Sequence, residues 1–164
     1  MSKAQNDKPL ATVRFRVRGD PKAWQRPRFN RKTQTFYTAP QDRLWRESAW
    51  AQAFPSSPRR PFDGPIGATF VFHVRMPANW PAWRRMFYEG KPCIVKRRYD
   101  LENLVKGILD ALTGTFYADD SQVFELALRR EWANDEQGPG VDVEIRAYRA
   151  QPGLRAEALR EKQK

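Results

Sequence analysis

Residues 96–123 read KRRYDLENLVKGILDALTGTFYADDSQV, and this stretch predicts the element on which the fold is built. Asp100 occupies the position of a helix N-cap, and Gly114 occupies that of a C-terminal cap. The pair Asp119-Asp120 predicts a turn, and a strand is expected from Val123 onward. Between the caps, six aliphatic residues recur at helical spacing and predict one buried stripe: Leu101, Leu104, Val105, Ile108, Leu109 and Leu112.

The same stretch concentrates charged side chains that are candidates for chemistry. Asp100 and Glu102 open the helix, Lys106 lies one turn further on, and Asp119-Asp120 follow its end. Because the chain turns back after the helix, the carboxylates at its start and those after its end are expected to converge on one cation. Each residue alone also has an ordinary interpretation, because acids cap helices, pair with lysine at i,i+4 and form turns. Both interpretations stay open, and only the combination favours function.

The composition favours a folded domain with a polyanionic partner. The chain has 164 residues, enough for one domain with a proper core, and 10 Phe, 6 Trp and 5 Tyr supply apolar bulk. Its net charge of +11 favours nucleic acid first and an anionic membrane second. No apolar run approaches membrane-spanning length, so we expect no membrane-spanning segment. Of the two polyanionic partners we expect nucleic acid and no membrane.

Cysteine and histidine usage excludes several kinds of site. A single cysteine, Cys93, rules out an internal disulfide and suits a reducing compartment. A single histidine, His73, excludes histidine-cluster metal sites, and its strand position predicts a surface residue.

The rest of the chain predicts strands and helices in alternation. Strands are expected at Thr12–Arg18, Thr35–Thr38, Ile66–Met76, Val123–Trp132 and Val141–Ala147. The first of these strands is expected to have a positive outer face, formed by Arg14, Arg16 and Arg18. Helices are expected from Pro81 and at Pro40–Phe54, whose apolar residues are Leu44, Ala49, Ala51 and Phe54. This order predicts a single small α/β (α+β) domain with a mixed sheet flanked by helices. The domain is expected to cover residues 1–150, with its core at about 11–148 and a charged tail at 151–164.

Two basic segments predict contacts with DNA phosphates. Residues 22–32 carry five basic residues and no acid, and residues 84–98 carry six against the single acid Glu89. The candidate DNA-binding cations are Lys22, Arg26, Arg28, Arg31, Lys32, Arg84, Arg85, Lys91, Lys96, Arg97 and Arg98. Phe29 is a candidate for stacking on bases, with packing inside the protein as the alternative. The aromatic residues between Trp80 and Tyr88 are expected mainly to cover the core.

The central motif, R-Y-D-L-E-N-L-V-K-G-I-L-D-A-L-T-G followed by D-D-S-Q-V, resembles the signature of the RusA-type Holliday junction resolvases. The segments Gln25–Phe29 and Met76-Pro77 with Trp80 are also similar to phage-borne members. The resemblance covers most of Thr12 to Ala147 and is specific only in the central motif.

The resemblance implies a RusA-like nuclease domain, a dimeric, magnesium-dependent endonuclease that binds four-way DNA junctions and nicks two opposed strands symmetrically. It implies Mg²⁺, with Mn²⁺ as a substitute, and a cytoplasmic location in a bacterial or phage-infected cell. Asp100, Glu102 and Asp120 match the family's essential acids and metal ligands, with Asp119 beside them, and Lys106 matches its catalytic lysine. Asn103 joins the DNA-binding candidates.

Two details of the motif bear on chemistry. Glu102 stands where well-studied members have aspartate, so its carboxylate reaches one methylene further. If Asp120 is extended, Asp119 points elsewhere, which favours Asp120 as ligand and Asp119 as a supporting acid.

Three other functions are left open by the sequence. They are a non-catalytic DNA- or junction-binding protein, a structural or regulatory partner in a phage or nucleoprotein assembly, and a metal nuclease for other branched DNA.

Overall fold

The structure is a computed structural model that describes residues 8–23, 28–37, 40–94 and 100–150. Within these ranges the strands are β1 (Ala11–Arg18), β2 (Arg28–Asn30), β3 (Thr35–Tyr37), β4 (Ile66–Val74), β5 (Val123–Trp132) and β6 (Gly140–Ala147), and the α-helices are α1 (Pro40–Ala53), α2 (Ala82–Tyr88) and α3 (Leu101–Leu112). No helix in the described ranges is long and apolar enough to cross a membrane. The predicted tail, 151–164, lies outside the described residues.

Four strands form the main sheet, in the order β1-β6-β4-β5. Strand β6 runs antiparallel to both of its neighbours, β1 and β4, whereas β5 runs parallel to β4. Strands β1, β4 and β5 therefore share one direction, and their carboxyl ends lie at one end of the sheet. The predicted mixed α/β fold is confirmed, with β4 in the interior and β5 at an edge.

The core lies between this sheet and helices α1 and α3. Alternate residues of β4 are fully buried on the helical side, among them Phe70 and Phe72. Leu104, Ile108 and Leu112 of α3 pack in the same cluster. Burial of each such side chain stabilises the fold by about 1.5–3 kcal/mol, so α3 is anchored along its whole length.

Helix α1 buries a different face from the predicted one. Leu44, Ala51 and Phe54 are exposed, and only Ala49 of the predicted stripe is buried. The residues buried in α1 are Asp42, Trp45, Ala49 and Ala53. Apolar side chains occur around much of this helix, so the pattern alone did not fix which face meets α3.

The outer face of the sheet is not the free positive surface that β1 predicted. The Arg14 Nε lies 2.7 Å from the Glu144 carboxylate, and the Arg16 Nη1 lies 2.9 Å from that of Asp142. The register places these residues directly opposite each other on β1 and β6. Such cross-strand pairs offset the arginine charges that the sequence had assigned to solvent.

His73 is also more enclosed than predicted. Its side chain is only 12 % exposed and lies between two carboxylates, with Nε2 2.7 Å from Asp142 Oδ2 and Nδ1 3.4 Å from Glu131 Oε1. The expectation of an ordinary surface histidine is therefore wrong, because the strands on both sides of β4 each contribute an acid.

Part of the predicted basic loop forms a small hairpin. Strands β2 and β3 pair antiparallel, and Gln34 in the turn between them has a φ of 52°. Strand β3 corresponds to the predicted extended piece at Thr35–Thr38. Residues 24–27, which include Arg26, lie outside the described residues.

Candidate active site and DNA-binding surface

The start of α3 presents two candidate acids from a fixed position. The Asp100 carboxylate accepts hydrogen bonds from the Glu102 backbone N–H and from the Asn103 amide Nδ2, both at 3.3 Å. The predicted cap is therefore confirmed. Both Asp100 and Glu102 remain exposed, so the cap orients a carboxylate that solvent and ligands can still reach.

The cap and any catalytic role of Asp100 can be separated by two substitutions. Asp100→Ala removes the capping oxygen and is expected to lower the free energy of unfolding by about 1 kcal/mol, whereas Asp100→Asn caps nearly as well and is expected to lower it much less. Urea-induced unfolding measures both. Equal losses for the two variants would contradict the capping geometry.

The acidic pair after α3 forms a capped 3₁₀ turn, Asp120–Gln122. The Asp119 carboxylate accepts a 2.9 Å hydrogen bond from the Ser121 N–H and so holds the turn. Asp120 is exposed at the first position of the turn, not in the extended conformation that the sequence argument assumed. The turn still gives the two acids different surroundings, which supports Asp120 as the ligand and Asp119 as the supporting acid.

Gln122 fixes this turn and was missed as a site residue. Its Oε1 accepts from the backbone N–H groups of Ala118 and Asp119, at 2.8 and 2.9 Å. Its Nε2 donates to the carbonyls of Phe62 and Gly64, at 2.9 and 2.8 Å. The spacing from Asp119 to Gln122 is that of a capping box, a signal that was present in the sequence.

The acidic turn lies beside the carboxyl-terminal end of α3. The Tyr117 hydroxyl donates a 3.1 Å hydrogen bond to the Leu109 carbonyl, near the end of the helix. Burial raises the pKa of Tyr117 far above its ordinary value, and the nearby charges of Asp120 and Asp110 add to the increase. Asp120 is therefore close enough to this end of the helix for its charge to act there.

The start of α3 lies toward the end of the sheet opposite the acidic turn. A Cβ placed on Gly107, in the middle of the helix, would lie 3.5 Å from the carbonyl oxygen of Lys22, which follows the carboxyl end of β1. Asp100 lies about 10 Å from Gly107 along the helix axis, toward the start of α3. The 12 residues of α3 span about 18 Å, with Asp100 and Glu102 at the start of the helix and Asp119-Asp120 after its end.

The acids match a hard divalent cation in chemistry but do not assemble a site within one chain. Carboxylate oxygens are the ligands that Mg²⁺ prefers. Among the described residues, no group of three or more Asp, Glu, His or Cys side chains is arranged to hold a metal ion. The predicted convergence of acids from both ends of the helix unit is therefore not seen in a single chain, and the metal site stays a prediction.

Two further charged residues occupy the exposed side of α3. Lys106 is exposed one turn after Glu102, so the two side chains leave the helix on the same side. Asp110, one more turn along, has Oδ2 3.9 Å from the Arg46 guanidinium of α1. The catalytic role of Lys106 stays a prediction, whereas Asp110 faces the neighbouring helix.

The hairpin supports a nucleic-acid contact. Phe29 is half-exposed and its ring centroid lies 5.1 Å from that of Phe36, which is more exposed still. Arg31 and Lys32 are exposed in the adjoining turn. The Arg28 side chain lies outside the described part. Phe36 was not among the predicted residues, although it lies one strand away from Phe29.

Lys22 precedes the hairpin and is partly neutralised. Its ammonium lies 3.3 Å from the Asp20 carboxylate. Its predicted contact with DNA therefore competes with an ion pair inside the protein.

Helix α2 does not cover the core, contrary to the main expectation for its aromatic residues. It begins after Pro81, as predicted, but none of its residues is buried, and Trp83 is 70 % exposed. Trp80, before the helix, and Tyr88, at its end, are partly buried, and the Trp80 ring lies 5.2 Å from that of Tyr88 and 5.1 Å from that of Trp132 at the end of β5. The helix therefore displays an aromatic surface near the carboxyl ends of β4 and β5.

The predicted cations of this segment lie among these rings. The Arg84 guanidinium is 4.3 Å from the centroid of a Trp80 ring, and the Lys91 ammonium is 3.2 Å from that of Phe87. Arg85 instead forms a 3.3 Å ion pair with Asp135. Cation–π contacts leave the charges of Arg84 and Lys91 available to phosphates. The predicted contacts of residues 96–98 (Lys96, Arg97 and Arg98) lie outside the described residues.

Residues 18–146 of the chain match the family model described as endodeoxyribonuclease RusA. The chain belongs to the RusA family. A relative in Bacillus subtilis (strain 168), described as the uncharacterized protein YqaN, is 26 % identical over 142 residues, which cover 84 % of this chain and 98 % of the relative. The matched region of the RusA model includes Asp100, Glu102, Asp119 and Asp120.

Membership of the RusA family gives the activity at a general level. The chain is an endodeoxyribonuclease of the Holliday junction resolvase type, and its substrate is branched DNA. RusA-family nucleases are in general metal-dependent, which agrees with the carboxylate-rich motif. The exposed cations and aromatic rings described above suit such a substrate.

Proposed function

We propose that this RusA-family nuclease acts as a homodimer that uses Mg²⁺ to resolve four-way DNA junctions by paired symmetric nicks. The observation that carries the proposal is the pair of exposed acid groups that α3 separates, Asp100 with Glu102 at its start and Asp120 beyond its end. Each group is held by local hydrogen bonds and neither is buried. Such carboxylates are available to a cation and to DNA.

Each charged residue has a role in the proposed reaction. Asp100, Glu102 and Asp120 would hold the cation, with Asp119 supporting the turn. When bound, Mg²⁺ lowers the pKa of a coordinated water and offsets charge on the scissile phosphate. Lys106 provides a fixed positive charge beside that phosphate, where negative charge develops during hydrolysis. The longer Glu102 side chain keeps the ligand charge that aspartate would supply and extends its reach.

The separation of the acids supports a site built from two copies of the chain. One copy supplies Asp100 and Glu102, and the other supplies Asp120, because about 18 Å of helix lies between these groups within a copy. A two-fold dimer contains two such sites. A four-way junction is itself two-fold symmetric, so two sites related by the same axis can cut two opposed strands.

The proposed DNA path uses the end of the sheet at which the candidate contacts gather. Helix α2 follows β4 and the hairpin follows β1, and these strands have their carboxyl ends together. Arg31, Lys32, Arg84 and Lys91 provide positive charge on these two elements. Phosphate contacts of this kind position DNA without reading its sequence, as recognition of junction shape requires.

Cleavage of an immobile synthetic four-way junction tests the proposal. We expect symmetric nicks in two opposed strands with Mg²⁺ or Mn²⁺, no nicks in EDTA, and much slower cleavage of linear duplex of the same sequence. Strand-specific end labels and denaturing gels identify the cut positions. Junctions of several sequences are needed, since resolvase activity can depend on the bases at the branch point.

The control substrates distinguish the remaining candidates. Equal cleavage of a flap or splayed arm would indicate a nuclease for branched DNA in general, and single unpaired nicks would contradict the two-site arrangement. Tight junction binding without cleavage in either metal would point to a binding protein and would place the defect at Glu102.

A further inference from the structure

One face of α2 is apolar and open to solvent. Trp83, Met86 and Phe87 follow each other at spacings of three and four residues, so their side chains leave the helix on one side. Their exposed fractions lie between 58 % and 77 %. Large apolar side chains that are exposed together mark a surface that binds a ligand or a partner.

The opposite side of α2 holds the helix against the sheet. Tyr88 is partly buried, and its ring lies 5.2 Å from that of Trp80. Directly after the helix, the Gly90 N–H donates a 3.1 Å hydrogen bond to the carbonyl of Trp132, at the end of β5. The exposed face is therefore presented by an anchored helix, which lowers the ordering cost of binding.

The charges beside this face select an anionic partner. Arg84 and Lys91 each lie over an aromatic ring and keep their positive charge. Glu89 is the single acid among residues 80–94. A nucleotide combines a phosphate with a flat aromatic base, so it matches both the cations and the rings. Branched DNA, the substrate of this chain, supplies both groups.

The bases that such a face can reach are those at a branch point. In continuous duplex each base is stacked between two neighbours, and a side chain must pay the cost of unstacking to insert there. Stacking is interrupted where strands exchange between arms, and the cost of moving a base is lowest where its pairing and stacking are already lost. The seven residues of α2 span about 10 Å, or three base steps, which is enough for the few bases at a branch.

We infer that this face of α2 recognises the branch point itself, with Trp83 stacked on an unstacked base and Met86 wedged beside it. Arg84 and Lys91 hold the flanking phosphates. Because the rings contact bases only where the duplex is interrupted, α2 adds affinity for branched DNA and little for linear duplex. The inference rests on the proposed function and deepens it, since it assigns the preference for junctions to one helix.

A contact at the branch also positions the DNA relative to the candidate acids. Helix α2 follows the carboxyl end of β4, and the start of α3, with Asp100 and Glu102, lies toward the same end of the sheet. A base held by Trp83 therefore fixes the branch point at the end of the protein where these two carboxylates lie.

Equilibrium binding in EDTA, where no cleavage occurs, tests the role of Trp83. The full-length chain is titrated into a labelled four-way junction and into linear duplex of the same arm sequence. Trp83→Ala is expected to weaken junction binding roughly 10-fold, the effect of losing one base–aromatic stack, and to leave duplex affinity within about twofold. Trp83→Phe keeps a ring and should retain most of the preference for the junction.

Two matched variants separate stacking from other contacts. Arg84→Gln removes a phosphate contact and should weaken binding of junction and duplex about equally. Phe54→Ala removes a ring that is also half-exposed, directly after α1, and should change neither affinity. Trp83→Gln is a second replacement without a ring, for use if Trp83→Ala does not give the circular dichroism spectrum of the unmodified chain.

A fluorescent base reports the stacking directly. When 2-aminopurine replaces one base beside the branch point, its fluorescence should change as the unmodified chain binds. At saturating protein, Trp83→Ala should produce a much smaller change, whereas Phe54→Ala should behave as the unmodified chain does.

Three results would overturn the inference. Equal losses of junction and duplex affinity would make Trp83 a general DNA contact. Unchanged affinities for both would leave an acidic protein partner as the occupant of this face, and a shift from dimer to monomer in light scattering would make the face a contact between copies. In each case paired nicks by the unmodified chain would still support the proposed function, so the two proposals fail separately.

Discussion

Asp120→Asn is expected to slow junction cleavage roughly 10³-fold, the equivalent of about 4 kcal/mol in the barrier, and to leave junction affinity unchanged or higher. Asparagine has nearly the same shape but lacks the charge that a divalent cation requires. Asp120 is exposed, and its turn is held by Asp119 and Gln122, so the fold should not change. Removal of a negative charge near the DNA path also lowers repulsion of the phosphates.

Single-turnover cleavage and equilibrium binding, measured with the same labelled junction, separate these effects. Glu136→Gln is the matched control, because it removes one exposed carboxylate from the loop between β5 and β6 and should leave cleavage at the level of the unmodified chain. Substantial cleavage by Asp120→Asn would remove Asp120 from the ligand set. An equal loss of binding and cleavage would instead show a structural role for the carboxylate.

The sequence predicted the parts of the fold that depend on local chemistry. The stripe of α3 has an unambiguous period, and Asp100 and Gly114 mark its limits, so the helix was predicted nearly residue by residue. The left-handed φ of 82° at Gly114 is the conformation that a glycine after a helix permits at low cost. Strands with clean alternation, such as β6, were equally clear.

The features that were missed depend on contacts between distant segments. The charge of Arg14 and Arg16 could not be judged without knowing that β6 lies beside β1. Exposure of Trp83 follows from the departure of α2 from the core, since the same composition would equally suit a buried helix. The position of β5 at the end of the strand order could not be predicted either, because periodicity alone does not give strand order.

The candidate site was likewise predicted only where it depends on local sequence, and not where it depends on contacts between distant segments. The motif identified the acids by type and spacing, and the resemblance assigned their roles. It did not indicate that the acids at the two ends of α3 form no group that could hold a metal ion in the described part of the chain, because adjacency in sequence was taken for adjacency in space. In the proposed two-copy arrangement the chain supplies every predicted ligand, but the metal site would form only at an interface between copies, which no short motif of the sequence encodes.

Gln122→Ala is expected to lower the free energy of unfolding by about 3 kcal/mol, a large effect for a polar residue. Its carboxamide joins the acidic turn to the segment before β4 through hydrogen bonds to four backbone groups. Alanine leaves these backbone groups without partners at a partly buried position. Urea-induced unfolding, with the slope checked for two-state behaviour, measures the loss. Gln41→Ala, at an exposed position in the first turn of α1, is the control and should change stability by less than about 0.5 kcal/mol.

Gln122→Glu tests which half of the carboxamide matters. Glutamate can still accept from Ala118 and Asp119, but it places an oxygen against the Phe62 and Gly64 carbonyls, where the amide had donated. It should therefore also destabilise the chain, because unpaired or opposed buried acceptors cost more than a single absent hydrogen bond. Both variants should cut junctions more slowly, at temperatures at which they remain folded, with unchanged affinity for DNA. Normal cleavage by a folded Gln122→Ala would mean that Asp120 does not need a fixed turn, and would count against its role as a metal ligand.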